Sequence, residues 1–144
     1  MDKRFFEFLT HDERVDCLAL GRLDKHPAGT LLLKTGDRPR ALFVVLEGEA
    51  EVRREDGVVL ARLRAADVFG EMSFIQLSAA SADVIAFTEV TILTLSEAVV
   101  NELVRERPPL AAGLYRSIAP ELSRRLVATS MAVRAESSAT PSPR

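Results

Sequence analysis

From Leu23 to Leu95 the chain is a succession of short apolar runs cut by Gly, Asp and Pro, and that pattern points to a small all-β core. Pro27-Ala28-Gly29 reads as a turn, with a strand over Thr30 to Lys34 after it. Gly36-Asp37-Arg38-Pro39 reads as a second turn. Ala41 to Leu46 has the length and β-branched content of a buried strand. Beyond Gly48 the sides alternate, with Ala50 and Val52 on one face and Glu49, Glu51 and Arg53 on the other. Asp56-Gly57 is a hairpin signal, because a primed turn needs positive φ at its centre. Val58 to Leu63 returns as the partner strand, and Val84 to Phe87 and Val90 to Leu95 supply two more. The expected fold is mainly β with flanking helices: a jelly-roll (double-stranded β-helix) β-roll, an N-terminal helix and a long C-terminal helix.

The flanks carry helical signals. Thr10-His11-Asp12-Glu13 has capping-box form and opens a helix bearing Val15, Leu18 and Leu20 that ends near Gly21, with Phe5, Phe6 and Phe8 ahead of it. Cys17 sits on this helix as a small apolar filler. Ser96 is an N-cap, after which Val99, Val100, Leu103 and Val104 share one face. Pro108-Pro109 ends that helix and starts another. A stripe follows through Leu110, Leu114, Ile118, Leu122, Leu126, Thr129 and Val133, with Pro120 as a kink or break inside it. Residues 1–136 thus form one domain, with the roll over about 23–95 and the C-terminal helices over about 96–135; residues 137–144 form a disordered tail.

Several function classes are disfavoured at this level. The net charge of −2 over 144 residues lacks the basic excess of a nucleic-acid binder. The single cysteine forms no intrachain disulfide and no cysteine-pair zinc site. The N-terminus has neither a signal peptide nor a membrane span, so a cytoplasmic protein is expected. His11 and His26 are the only histidines and no nucleophile–base set is visible, so no metal, no cofactor and no enzyme activity are expected.

The residues that carry chemistry are Asp67-Val68-Phe69-Gly70-Glu71-Met72-Ser73-Phe74 and, beyond them, Ala80-Ser81-Ala82-Asp83-Val84-Ile85-Ala86. Gly70 permits close backbone approach to a ligand. Glu71 repels an anion and suits a hydroxyl donor such as a ribose 2′-OH. Met72 and Ser73, with Phe74, form the first turn of a short helix behind the loop, and Ser81 offers a hydroxyl to phosphate. Together these two stretches resemble the phosphate-binding cassette of the cyclic nucleotide-binding domain family. The resemblance extends from about Phe5 to Val133 through Pro27-Ala28-Gly29, Gly36-Asp37 and Leu46-Glu47-Gly48. It implies a ligand site at Phe69, Gly70, Glu71, Met72, Ser73, Ala80, Ser81 and Ala82, with cAMP or cGMP as the ligand.

One position departs from the family. Its members place an arginine on the phosphate where this chain has Ala80. Removing one partner of a buried charge pair costs about 2–5 kcal/mol, which is roughly 30- to several-thousand-fold in affinity. No Lys, Arg or His occurs from Ala65 to Val104, so a replacement cation would have to come from elsewhere: Arg62, Arg64, Arg124 or Arg125. Arg124 to Ser130 resembles the dimerisation helix of the bacterial catabolite activator branch. There a Thr-Ser pair reaches adenine, which assigns Thr129 and Ser130 to the base. The same resemblance places Leu114, Ile118, Leu122, Leu126 and Val133 in a parallel homodimer interface. With no helix-turn-helix after this helix, direct DNA binding is not expected. The function implied is a stand-alone sensor that binds cAMP or a related nucleotide weakly and signals to an unidentified effector protein through its C-terminal helix. The alternative is a ligand-free interaction or dimerisation module with a degenerate cassette.

Overall fold

The computed structural model describes residues 8–70 and 79–117. Phe5, Phe6, the Pro120 break, the stripe from Ile118 to Val133 and the tail lie outside the described residues. The described chain runs α1 (His11–Leu20), β1 (Arg22–His26), β2 (Leu31–Leu33), β3 (Ala41–Glu47), β4 (Ala50–Arg53), β5 (Val59–Leu63), β6 (Val68–Phe69), β7 (Asp83–Ala86), β8 (Val90–Ser96) and α2 (Glu97–Glu106). A further helix, α3, begins at residue 108 and continues to the end of the described segment.

The strands form two four-stranded antiparallel sheets, ordered β1-β8-β3-β6 and β2-β7-β4-β5. Apart from the β4–β5 hairpin, consecutive strands switch between the two sheets, in a jelly-roll manner. The first sheet is covered on both faces. Leu42, Val44 and Leu46 of β3 join Leu93 and Leu95 of β8 beneath the helices. Val45, Val90 and Ile92 turn the other way, into the roll, where they meet Leu33, Ala50, Leu63, Phe69, Val84 and Ala86. Double burial explains why β3 reads as a continuous apolar run rather than an alternating one.

Two strands escape the sequence pattern. In β1 the polar Arg22, Asp24 and His26 share a side, while Leu23 is 52% exposed, so the hydrophobic signal is inverted. In β6 only Val68 and Phe69 pair, too few to show a period. Two helix faces also differ from expectation. In α1 the fully covered side chain is Cys17, whereas Val15 and Leu20 are 50% and 46% exposed. In α2, Val100 and Leu103 are buried and Val104 faces out. The capping box of Thr10 and Glu13 and the Ser96 N-cap both form. Burial pushes the Cys17 thiol up to about 11, which keeps it protonated and unreactive.

The helices are fastened to one another. Arg107, at the α2 end, pairs with Asp16 of α1. The Arg116 guanidinium lies 4.3 Å from the Phe8 ring centre. Leu110 and Leu114 of α3 are each 1% exposed and pack into the core that Leu9, Cys17, Val100 and Leu103 share. Leu114 was expected at a subunit interface; covered within its own chain, it has almost no apolar area to bring to a second copy.

Gly48 closes the β3–β4 connection at φ +84, where a Cβ would stand 2.1 Å from the Glu89 carbonyl oxygen. Gly57 has φ +90 with nothing within 4 Å. Replacing Gly57 by Ala should cost about 1–2 kcal/mol, the left-handed penalty alone. Gly48→Ala adds a backbone clash and should cost at least about twice as much. Urea unfolding of the two variants checks this; equal losses would show that the clash at Glu89 relaxes away.

Candidate ligand-binding site

The approach to Gly70 is built by the turn over residues 64–67. Asp67 Oδ2 accepts from the Arg64 amide at 2.8 Å. The Ala66 amide donates to the Val45 carbonyl at 2.7 Å, and the Val45 amide donates to the Asp67 carbonyl at 2.9 Å. The turn is thereby stitched to β3, and Val68 and Phe69 are laid against Val44 and Phe43. Gly70 follows at φ +81. A Cβ there would stand 2.7 Å from Phe43 Cδ2 and 3.0 Å from the Ala41 carbonyl oxygen, so both the conformation and the space demand glycine.

Phe69 is 1% exposed and its ring stacks on Phe43, with centroids 4.9 Å apart and planes at 12°. Its side chain belongs to the roll interior, so a ligand meets its backbone. Glu71, Met72 and Ser73 lie outside the described residues, as do Thr129 and Ser130.

The second half of the cassette is clamped to the turn after β2, an arrangement no sequence signal announced. The Ala80 amide donates to the Asp37 carbonyl at 2.8 Å, and the Gly36 amide donates to the Ala80 carbonyl at 2.8 Å. Three residues on, Asp83 Oδ1 accepts from the Thr35 amide at 2.7 Å and from the Thr35 hydroxyl at 2.8 Å. These bonds, the backbone one first, hold the Asp83 carboxyl below the usual carboxylate range. Ala80 is half-buried and packs against the roll core that contains Phe69. Ala82 is buried at 8% exposure, and Ser81 is exposed. The structure thus brings Phe69 and Ala80 together at the roll core, with Ser81 exposed.

Two of the cations considered as substitutes for an arginine at position 80 are placed elsewhere. Arg62 Nη2 meets Glu51 Oε2 at 2.9 Å, and its guanidinium lies 4.2 Å from the Phe87 ring centre. Arg64 pairs with Glu49 at 3.3 Å. Arg62 precedes the inward Leu63 at the end of β5 and so points away from the roll interior, and Arg64 follows just past the strand. Arg124 and Arg125 lie outside the described residues.

Glu51 is the feature that alternation hides. On the face of β4 that it shares with Glu49 and Arg53, it is only 5% exposed. Arg53 reaches its Oε1 at 2.6 Å while Arg62 takes Oε2. Hydrogen bonds from Arg53 and then Arg62 hold its carboxyl below the ordinary range. A carboxylate this enclosed needs such partners, since alone it would take a proton or destabilise the fold.

Comparison with known proteins places this geometry in context. A family model described as "Cyclic nucleotide-binding domain" matches residues 23–107. The Pycsar effector protein XpPycTIR of Xanthomonas perforans is 34% identical over 110 residues, which are 76% of this chain and 35% of that protein. Glutaminase 1 of Bradyrhizobium diazoefficiens is 30% identical over 126 residues, 88% of this chain and 20% of that protein. The chain therefore spans about a third and a fifth of these two relatives. The crystal structure of the Thermus thermophilus catabolite activator protein superposes with a TM-score of 0.75 at 27% identity, covering 93% of this chain and 63% of that one.

Asp83 gives the clamp a pH signature. Its folded-state pKa is depressed, so the stability it adds is complete above the unfolded value of about 3.9 and fades as pH falls through the lower folded value. Asp83→Asn should be less stable than the parent at neutral pH, with the gap closing in acid. Chemical denaturation of both proteins from neutral pH down to the acid limit checks this. A gap of constant size would detach the Thr35–Asp83 bonds from Asp83's charge.

Proposed function

This chain belongs to the cyclic nucleotide-binding domain family, and on that premise we propose that it is a regulatory sensor with a weakened hold on the cyclic phosphate. The observation that carries the reading is the closely wedged Gly70, directly after Phe69, together with a clamped Ala80 that packs against the core cluster to which Phe69 belongs. In this reading Gly70 lets the backbone approach the ligand, with the Phe69 backbone beside it. Glu71 accepts a hydrogen bond from the ribose 2′-OH, ahead of Met72 and Ser73. Ser81 donates its hydroxyl to the phosphate next to Ala80 and Ala82. Thr129 and Ser130 reach the base, for which cAMP is the first candidate and cGMP the second.

Affinity falls because no guanidinium at position 80 forks onto the phosphate. Arg62 is a poor substitute, since leaving Glu51 would strip an enclosed carboxylate of one partner. The signal runs through the C-terminal helix. Leu110 and Leu114 anchor its start to the core, and the stripe through Ile118, Leu122, Leu126 and Val133 is offered to a second copy or to an effector protein. A nucleotide biases that helix only by its differential affinity for the two arrangements. In this reading the chain's role is regulation. Among the described residues no helix is long and apolar enough to cross a membrane.

A second reading is favoured by the packing of Ala80 onto the roll core and by the commitment of Arg62 to Glu51. In it the cassette is ligand-free and the roll is an interaction or dimerisation module.

Calorimetric titration with cAMP and cGMP separates the two. The sensor reading expects saturable binding at submillimolar to millimolar nucleotide, and Ala80→Arg, with room for its stem at a half-exposed position, should tighten cAMP by a decade or more. No saturable binding by either protein at millimolar nucleotide would leave the interaction-module reading standing.

A further inference from the structure

Between β1, β2 and the inner side of β3, β6 and β8 lies a partly open pocket of about 130 Å³. Phe43, Phe69 and Ile92 form its apolar wall and Leu31 and Leu32 of β2 close it from the other sheet. None of Ala80, Ser81 or Ala82 lines it. We propose that this pocket is a second binding site, for a neutral one-ring aromatic alcohol, and that its occupant is felt at the cassette through Phe43.

The size fits one ring: an apolar protein cavity of about 150 Å³ takes up benzene. The stacked Phe43 and Phe69 rings supply an aromatic wall for offset or edge-on contact. The remaining wall is polar, with Asp24, His26 and Thr94 side by side on paired strands β1 and β8. Asp24 Oδ2 already accepts from Arg22 Nε at 2.6 Å, so that charge pair cancels and the wall calls for a neutral hydroxyl rather than an ion. The link to the cassette is steric. The edge of the Phe43 ring, with the Ala41 carbonyl, lies close against the Gly70 backbone, so a tilt of that ring changes the packing at Gly70. Because energetic coupling between sites is reciprocal, whatever occupies the pocket and whatever occupies the cassette must sense each other. The pocket itself rests on the fold alone and stands whether or not a nucleotide binds.

Phenol is the probe, with cyclohexanol as a ring of similar size that lacks a π face. The ¹⁵N-labelled full chain is titrated with each. Phenol should shift the amides of Phe43, Phe69, Ile92 and Gly70 along one saturable curve with a millimolar midpoint, and cyclohexanol should bind several-fold more weakly. Leu31 is 50% exposed at the mouth, so Leu31→Trp should fold normally, plug the opening and weaken phenol tenfold or more. Shifts that never saturate, equal binding of the two rings, or unchanged affinity in Leu31→Trp would overturn the site. A Gly70 amide that stays still while Phe43 moves would overturn its link to the cassette. The parent spectrum alone decides the matter should the variant fail to fold.

Discussion

The strand pair β3–β8 is the partition on which both cores are built. Its residues alternate between the helix-side core of Leu42, Val44, Leu93 and Leu95 and the roll-side core of Val45, Val90 and Ile92. Burial on both faces removes apolar area from water twice for the same backbone, and this is the chief stabilising term available to a domain this small. Everything that positions the candidate site hangs from this partition. β6 pairs with β3, so the entry to Gly70 inherits the rigidity of the sheet. The helices lie on the opposite face of the same strands, so α2 and the start of α3 take their positions from it as well.

The site combines a rigid half with an altered one. Gly70 is confined by Phe43 and the Ala41 carbonyl, which leaves its backbone no freedom to retreat. Ala80 is held by two backbone bonds to the turn after β2, and Asp83 ties the strand that follows to Thr35. An arginine at position 80 would not be needed to hold this loop in place, because the main chain already does so. In the proposed sensor reading, what this chain lacks at Ala80 is therefore charge and directional hydrogen bonding toward an anion. Glu51 reinforces that outcome from the other face of the sheet, by holding Arg62 against Phe87.

Most strands were legible because their sequences satisfy simple rules: β3 as an apolar run, β4 by its alternation, and β5 as the return strand after the Asp56-Gly57 turn. Both helix starts were legible because caps are local, and Thr10, Glu13 and Ser96 act within three residues of themselves. β1 was not, because an edge strand that turns Asp24 and His26 toward the roll presents no apolar period. The burial of Glu51 was not legible, because alternation reports which side of a strand a residue occupies, and not what covers that side. Leu114 was misassigned to a subunit interface for the same reason: a helical stripe marks an apolar face without saying which surface buries it.

The amino-acid order by itself determined the class of fold, the turn chemistry, the helix caps and the absence of an arginine at position 80. Those are properties of single residues or of neighbours a few positions apart. The tertiary structure decided which residues meet across long separations. It set Thr35 on Asp83, Asp16 on Arg107, Arg62 between Glu51 and Phe87, and the ring of Phe43 against Gly70. Such pairings depend on sheet order and register, which arise only when the whole chain closes its two cores, and no local pattern encodes them.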